Sequence, residues 1–164
     1  MIYLNNAASS WPKAPGVPDL VRDSLSAPFE DPGRSSSDEQ NPVEDCRRLL
    51  AKTLQIGDPS RIVLTPSATH ALNLALHGLR GLGLKTVVTS VTEHNSVLRP
   101  LQLLKNRQGL EVIPIGLDRS GALDETAYDE ALSGRPSLVV LNHASNVTGC
   151  VNDVSRLFEK AKRA

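Results

Sequence analysis

Hydrophobic residues recur at helical spacing in several segments of the chain. From Asn41, a cap residue followed by a proline, apolar side chains repeat every three to four positions as far as Gln55, which predicts an amphipathic helix. The same periodicity predicts helices at residues 18–26, 68–82, 95–107, 124–132 and 154–164. Six helices are therefore expected.

Short apolar runs lie between these helices. They predict strands at residues 61–65, 86–90, 111–115 and 137–142. The last run contains four consecutive apolar residues, 138–141, which is typical of a fully buried strand in a parallel sheet. Helices and strands that alternate in this way favour an α/β fold, a three-layer α/β/α arrangement with a mainly parallel sheet.

The first 40 residues have a different character from the rest of the chain. Prolines concentrate between Pro12 and Pro42, together with two runs of serine, and such a stretch is typical of a segment that covers a surface or lines a site. The sequence thus predicts two parts: an irregular amino-terminal segment that lines the site, residues 1–40, and an α/β layer, residues 41–164.

Composition narrows the possible partners. The 164 residues include 18 basic and 18 acidic side chains, with 40% hydrophobic and 3% aromatic residues, which fits one globular domain and excludes disorder and coiled coil. A net charge of zero without blocks of like charge argues against nucleic acid or an anionic membrane as partner. No apolar run approaches the ~20 residues that span a bilayer, and no leader pattern opens the chain, so a cytoplasmic protein is expected.

Neither cysteine predicts a disulfide or a metal site. Cys46 and Cys150 lie far apart and form no Cys-x-x-Cys pair, so we expect reduced, mostly structural thiols. No histidine, cysteine or carboxylate set has metal-ligand spacing. The partner expected from these observations is a small molecule or another protein.

Polar residues follow three of the predicted strands, where open parallel sheets collect their ligands. Residues 65–69 (TPSAT) run directly into a helix, so free N–H groups, the positive end of the helix dipole and hydroxyl groups meet at one spot. This pattern is compatible with a phosphate cradle. Serine and threonine are also common helix caps that bind nothing, and the spacing leaves both interpretations open.

The other two strand ends are similarly ambiguous. His94 lies in the loop before a capped helix, where it is as plausible a loop hydrogen-bonder as a site residue. Residues 142–149 (NHASNVTG) are rich in donors and acceptors and include Asn146, for which a buried, turn-forming role is the alternative. The glycines of residues 78–83 have the wrong order for a dinucleotide fingerprint and precede a strand, which disfavours a Rossmann-like nucleotide binder.

Four ordered segments together resemble one family, the class V aminotransferases of pyridoxal 5'-phosphate (PLP) fold type I, and within it the cysteine desulfurases. The matching segments are YLNNAASSWPK (residues 3–13), LTPSATHALN (64–73), TEHNS (92–96) and HASNVTG (143–149). The resemblance implies that Ala68 and Thr69 hold the phosphate group of PLP, that His94 stacks on its pyridine ring, and that Asn146 bonds its phenolic oxygen. In such enzymes the cofactor is the electron sink and these residues bind and orient it.

The chain departs from the family in several places. The histidine that the family has shortly after the position of Gly33–Arg34 is missing, and Ser67 replaces a usual glycine. Family members are more than twice as long, and their Schiff-base lysine, pyridine-nitrogen aspartate and substrate-carboxylate arginine all follow the segment that ends at Gly149. The chain is therefore expected to be the first part of the PLP-binding large domain, truncated at the carboxyl end, with no catalytic residue of its own.

The resemblance implies a complete enzyme that is a homodimer and acts on an amino acid, a small-molecule substrate, through an external aldimine. Sulfur abstraction from cysteine is the leading expectation, although desulfurase, transaminase and lyase are not separable on this sequence. Neither cysteine of this chain is placed to serve as the desulfurase nucleophile. The alternative is a non-catalytic remnant, or one half of a split enzyme, that binds a partner chain or a phosphate-bearing ligand.

Overall fold

The computed structural model describes residues 2–26 and 41–164, which form two compact units that divide after Leu64. The first unit contains helices α1 (Val17–Ser26) and α2 (Pro42–Leu54). The Asn41 side chain caps α2 by accepting hydrogen bonds from the N–H groups of Val43 and Glu44 at 3.0 and 3.3 Å. Gln55 ends α2 with a left-handed φ of 55°, and both predicted helices are confirmed.

The irregular segment before α1 is held by local hydrogen bonds. The Tyr3 hydroxyl donates to the Ser9 carbonyl at 2.8 Å, and the Asn6 carboxamide oxygen accepts from the Trp11 N–H at 3.0 Å. That this segment lines a site stays a prediction, and Gly33–Arg34 lies outside the described residues.

The predicted strand at residues 61–65 is wrong. Residues 59–61 form a short 3-10 turn, and residues 62–65 have no regular structure. The backbone is extended at Ile62, yet its carbonyl accepts a hydrogen bond from the Arg47 side chain at 3.2 Å instead of a strand partner. The side chain of Val63 is 69% exposed. Apolar residues alone do not make a strand, because its backbone groups need a ladder partner.

The second unit contains a three-stranded parallel sheet in the order β2-β1-β3. Its elements are α3 (Ala68–Leu79), β1 (Thr86–Ser90), α4 (Asn95–Gln108), β2 (Glu111–Ile115), α5 (Glu125–Ser133), β3 (Leu138–Val140) and α6 (Val154–Arg163). The sequence predicted β1 and β2 with the same bounds. α3 is shorter than predicted, because its last three expected residues form a 3-10 turn.

Helices pack on both faces of this sheet, so the predicted three-layer α/β/α fold is confirmed for the second unit. Apolar residues of α3 and α4 pack with Val87 on one face, whereas those of α5 and α6 pack with Val88 on the other. The Tyr128 hydroxyl donates to the Leu157 carbonyl at 2.9 Å and joins α5 to α6. No helix in the described ranges is long and apolar enough to cross a membrane.

β3 is shorter and less buried than the sequence predicts. It covers Leu138–Val140 rather than residues 137–142, and all three residues are only partly buried. β3 pairs only with β1 among the described strands, so one of its edges carries no strand. The predicted fully buried strand is therefore wrong for this position in the sheet, whose buried strand is the central β1.

Candidate functional site

The start of α3 presents backbone donors. The Ser67 hydroxyl accepts a hydrogen bond from the His70 N–H at 3.1 Å, and the Ser67 carbonyl accepts from the Ala71 N–H at 3.0 Å. The N–H groups of Ala68 and Thr69 precede the first intrahelical hydrogen bond, and no described residue accepts from them. Ser67, which departs from the family pattern, therefore caps the helix and leaves two donors at its positive end.

His94 is the N-cap of α4. Its Nδ1 atom accepts a hydrogen bond from the Ser96 N–H at 3.1 Å and lies 2.8 Å from the Ser96 hydroxyl. Because the Nδ1 lone pair is used in this way, the proton of the neutral ring sits on Nε2. The imidazole is exposed but held at one nitrogen, so its orientation is fixed while its faces stay accessible.

One cleft joins the two helix starts. It has a volume of about 470 Å³ and is lined by Thr69, Asn73, His94, Asn95, Ser96, Arg99, Pro100 and Leu103. None of the described residues that line this cleft is a carboxylate, whereas Arg99 brings a guanidinium to it. The size is that of a small-molecule or cofactor site, and the charge favours an anionic ligand.

A buried carboxyl group lies beside this cleft, in the loop after β1. Glu93 Oε1 accepts hydrogen bonds from the Asn142 N–H at 2.6 Å and from the Ser90 hydroxyl at 3.0 Å. Burial raises the pKa of Glu93, and these two hydrogen bonds offset only part of the rise. The Asn142 side chain in turn donates to the Thr92 carbonyl at 2.8 Å. The loops after β1 and β3 are thus bonded to each other.

Asn146 lies in the loop after β3, exposed and outside the residues that line the cleft. The loop is closed by a bridge between Ala144 and Val151, and the buried Ser145 hydroxyl accepts from the N–H groups of Val147 and Thr148, both at 3.2 Å. The turn-forming side chain is therefore Ser145, and the buried role considered for Asn146 is wrong. Its proposed contact with a cofactor oxygen stays a prediction.

Of the four residues singled out by the sequence, Thr69 and His94 line one cleft, Ala68 directly precedes Thr69, and Asn146 is not among the lining residues. Sequence reasoning missed Glu93 and Arg99, and it gave Asn73 no individual role within the predicted helix. Asn73 in fact lines the cleft, and its side chain donates to the Thr69 carbonyl at 2.8 Å. Helical spacing offers a signal for Asn73, four residues after Thr69, and for Arg99, four after Asn95, which also lines the cleft.

The donor set suits a ligand with a phosphate and a flat ring. Two backbone N–H groups at a helix start bind a phosphate, and an oriented imidazole face stacks on an aromatic ring. Among the described residues, no group of three or more histidine, cysteine or carboxylate side chains is placed to hold a metal ion. The described residues of the cleft can bind and orient a ligand, and no paired nucleophile and base is found among them.

Comparisons with known proteins identify the family of the chain. The family model described as aminotransferase class-V matches residues 2–164. A probable cysteine desulfurase of Synechocystis is 29% identical over the whole chain, and a cysteine desulfurase of Cereibacter sphaeroides is 32% identical over 99% of it. Among solved structures, DndA from Streptomyces lividans superposes with a TM-score of 0.72 at 29% identity over 97% of the chain.

The matched proteins are much longer than this chain. It spans 40% of the Synechocystis protein, 43% of the Cereibacter protein and 46% of the DndA chain. One of the two curated relatives is named a cysteine desulfurase and the other a probable cysteine desulfurase. The chain is therefore similar to a segment of such proteins.

Proposed function

The chain belongs to the class V aminotransferase family, and on that premise we propose that its second unit supplies the phosphate-binding and ring-stacking part of a PLP site. The observation that carries this proposal is the cleft that Thr69 and His94 share. In this proposal the family accounts for the cofactor, and Thr69 and His94, which both line the cleft, would contact it.

The residues present fit the cofactor. The N–H groups of Ala68 and Thr69 would hold the phosphate at the start of α3, where the helix dipole favours a dianion. The His94 ring would stack on the pyridine ring, with its angle set by the Nδ1 contacts to Ser96. Asn146 would bond the phenolic oxygen from the loop after β3. Ala68, Thr69, His94 and Asn146 thus bind and orient without transferring protons.

PLP, when bound, supplies the electron sink for chemistry at the α-carbon of an amino acid. The residues of this chain prepare for that chemistry by fixing the cofactor's orientation. A ring held on one face by an imidazole and at one end by two N–H groups has few remaining degrees of freedom, which is how positioning residues lower the cost of reaching a reactive geometry.

For the complete enzyme we propose an amino-acid transformation of the cysteine desulfurase type, because the two curated relatives carry that name. A small-molecule amino-acid substrate, a homodimeric assembly and a cytoplasmic location belong to the same proposal. The first part of the large domain, as the resemblance assigns it, contributes cofactor binding rather than the proton-transfer steps.

A direct test uses a cofactor analogue that cannot react with surface lysines. 4'-Deoxypyridoxine 5'-phosphate lacks the aldehyde of PLP, and 4'-deoxypyridoxine, which also lacks the phosphate, is its matched control. We expect calorimetry to show at least tenfold tighter binding of the phosphorylated compound, and excess inorganic phosphate to compete with it.

Equal affinity for the two analogues, or tighter binding of NAD or ATP than of the phosphorylated analogue, would contradict the proposal. A nucleotide preference would favour the nucleotide-binding alternative instead. The remaining possibility is a non-catalytic remnant, and absorption spectroscopy with PLP itself tests it. Such a remnant gives no lysine-linked band even when the rest of a family enzyme is supplied.

A further inference from the structure

We propose that Glu93 is a positioning residue of this site: its buried carboxylate holds the loop that carries His94 against the loop that follows β3. The role that we assign to His94 as a ligand contact rests on the proposed function. The role of Glu93 in placing the two loops rests on the hydrogen bonds alone.

One oxygen atom of Glu93 joins three segments of the chain. Glu93 Oε1 accepts from the Asn142 N–H at 2.6 Å and from the Ser90 hydroxyl at 3.0 Å, so it connects the end of β1, the loop after β1 and the loop after β3. Ser90 is fully buried and Glu93 is only 7% exposed. Water therefore competes poorly for these hydrogen bonds, and the connection is stronger than the same contacts would be on a surface.

A second set of hydrogen bonds continues from the same place. The Asn142 side chain donates to the Thr92 carbonyl at 2.8 Å, and Asn152 donates to both the carbonyl and the carboxamide oxygen of Asn142 at 3.0 Å. The Asn152 N–H also donates to the His143 carbonyl at 2.8 Å, which closes the base of the loop that contains Asn146. Glu93 thus begins a continuous path from the His94 loop to the Asn146 loop.

His94 follows Glu93 directly, so the backbone position of one sets that of the other. The His94 carbonyl accepts from the Val97 N–H at 2.8 Å and starts α4, while its ring caps the same helix through Ser96. The imidazole is consequently held by α4, and the loop that precedes it is held by the Glu93 carboxylate. Loss of the Glu93 contacts should leave α4 in place and free the loop that feeds into it.

The choice of a carboxylate argues for a positioning role rather than for stabilisation of the fold. Both groups that face Glu93 Oε1 are donors, and an ionised carboxylate is the acceptor that binds them most strongly. A buried carboxylate nevertheless costs desolvation, which neutral groups would avoid. Such a cost is expected where a particular geometry matters for a bound ligand.

The test compares two variants at position 93 with a control. Glu93→Gln keeps an acceptor oxygen of the same length, Glu93→Ala removes it, and Glu130→Ala removes an exposed carboxylate elsewhere in the second unit. In nuclear magnetic resonance spectra, we expect Glu93→Ala to shift the Asn142 amide proton upfield and to move the His94 ring resonances. Glu93→Gln and Glu130→Ala should leave the ring resonances within their wild-type range.

Ligand affinity provides the second measurement. We expect Glu93→Ala to weaken binding of 4'-deoxypyridoxine 5'-phosphate at least tenfold, Glu93→Gln to restore it to within about threefold of wild type, and Glu130→Ala to have no effect. If Glu93→Ala does not fold, Ser90→Ala removes only one of the two donors and should give a smaller change in the same direction.

Unchanged His94 resonances in folded Glu93→Ala would overturn the proposal, as would a Glu93→Gln variant as defective as Glu93→Ala. A wild-type chain that does not bind the analogue would contradict the proposed function instead. In that case the Asn142 and His94 resonances still decide whether Glu93 positions the loops.

Discussion

Thr89 shows that one buried residue in β1 is not optimised for stability. Its side chain is fully buried, and the Oγ1 atom has no hydrogen-bond partner in the described part of the chain. A buried hydroxyl without a partner costs free energy that an isosteric methyl group avoids. We therefore expect Thr89→Val to raise the free energy of unfolding by about 1 kcal/mol, measured by chemical denaturation.

Thr89→Ser is the matched control, because it keeps the hydroxyl and removes only the methyl group. It should lower the free energy of unfolding by about 1 kcal/mol, the cost of a lost buried methyl group. A destabilised Thr89→Val variant would show that the hydroxyl makes a favourable contact.

His94 combines two roles that substitutions can separate. Asparagine is a good N-cap but has no aromatic face, whereas alanine has neither property. We expect His94→Asn to keep the wild-type midpoint of unfolding and His94→Ala to lose about 1 kcal/mol. Both should weaken binding of 4'-deoxypyridoxine 5'-phosphate by about tenfold, because the ring stack is gone.

A titration of both variants distinguishes the contributions. If His94→Asn binds the analogue as wild type does, then His94 is only a helix cap and the stacking role is wrong. If both variants lose as much affinity for PLP as for the analogue, and the absorption of bound PLP shifts, the result would support stacking of His94 on the pyridine ring.

At the scale of single residues, the sequence predicts those whose role depends on their neighbours in the chain. Thr69 and His94 each lie at a helix start that local spacing reveals, and the cleft contains both. Glu93 could not be found in this way, since its partner Asn142 is 49 positions away. Its role depends on β1 and β3 pairing in parallel, which local spacing does not specify.

Among secondary structure elements, helices were easier to predict than strands. The helix pattern is local, and caps such as Asn41 and Asp124 mark the starts of α2 and α5. A strand depends on its neighbour, so residues 61–65 fail although they contain three consecutive apolar residues. β3 is confirmed in place but not in length or burial, because burial follows from the strand's place in the sheet.

The contact between α5 and α6 allows a test of how one hydrogen bond joins two elements. Tyr128 is fully buried, and its hydroxyl donates to the Leu157 carbonyl at 2.9 Å. Tyr128→Phe removes this hydrogen bond and keeps the ring, so we expect a loss of about 1 kcal/mol in the free energy of unfolding. Tyr3→Phe, the corresponding change at an exposed hydroxyl bond of the first unit, should leave the unfolding of the second unit unchanged.

Exchange of backbone amide protons locates the effect of Tyr128→Phe. Faster exchange in α5 and α6, with no change in α3 and α4, is expected because the two helix pairs pack on opposite faces of the sheet. Equal acceleration in all four helices would mean that the hydrogen bond stabilises the second unit as a whole rather than this contact.

At the scale of the whole molecule, the proposed function gives this chain the binding part of the site rather than its chemistry. The chain spans about two fifths of the length of the curated relatives. The part that it shares with them contains the cleft lined by Thr69, at the start of α3, and by the oriented ring of His94. The His94 ring follows the carboxyl end of β1, as expected for ligand sites in open parallel sheets, whereas the donors at the start of α3 follow no described strand. The loops after the carboxyl ends of β1 and β3 are bonded to each other. The same strand ends hold the buried Glu93, so we expect the stability of the second unit to depend on the ionisation of a group beside the site.

The free energy of unfolding should therefore change with pH. Burial raises the pKa of Glu93 above its ordinary value of 4.5, so the folded state holds this proton more tightly than the unfolded state. The resulting contribution to stability is complete below about pH 4.5 and is lost as the pH rises through the raised pKa. Hydrogen bonds from Ser120 lower the pKa of Asp118 below 3.8, so its contribution is instead lost as the pH falls below that value.

The two carboxyl groups therefore change the free energy of unfolding in opposite directions: Asp118 lowers it as the pH falls below about 4, and Glu93 lowers it as the pH rises above that value. Substitutions should separate the two effects. We expect Glu93→Gln to flatten the decline of the unfolding free energy above pH 4.5, and Asp118→Asn to flatten only the acid limb. Denaturation of the second unit from pH 2.5 to 8, with Glu130→Gln as the exposed control, measures both slopes. If Glu93→Gln leaves the upper slope unchanged, the carboxylate is solvated in the folded state, and the connection it makes between the two loops is weaker than its 2.6 Å hydrogen bond indicates.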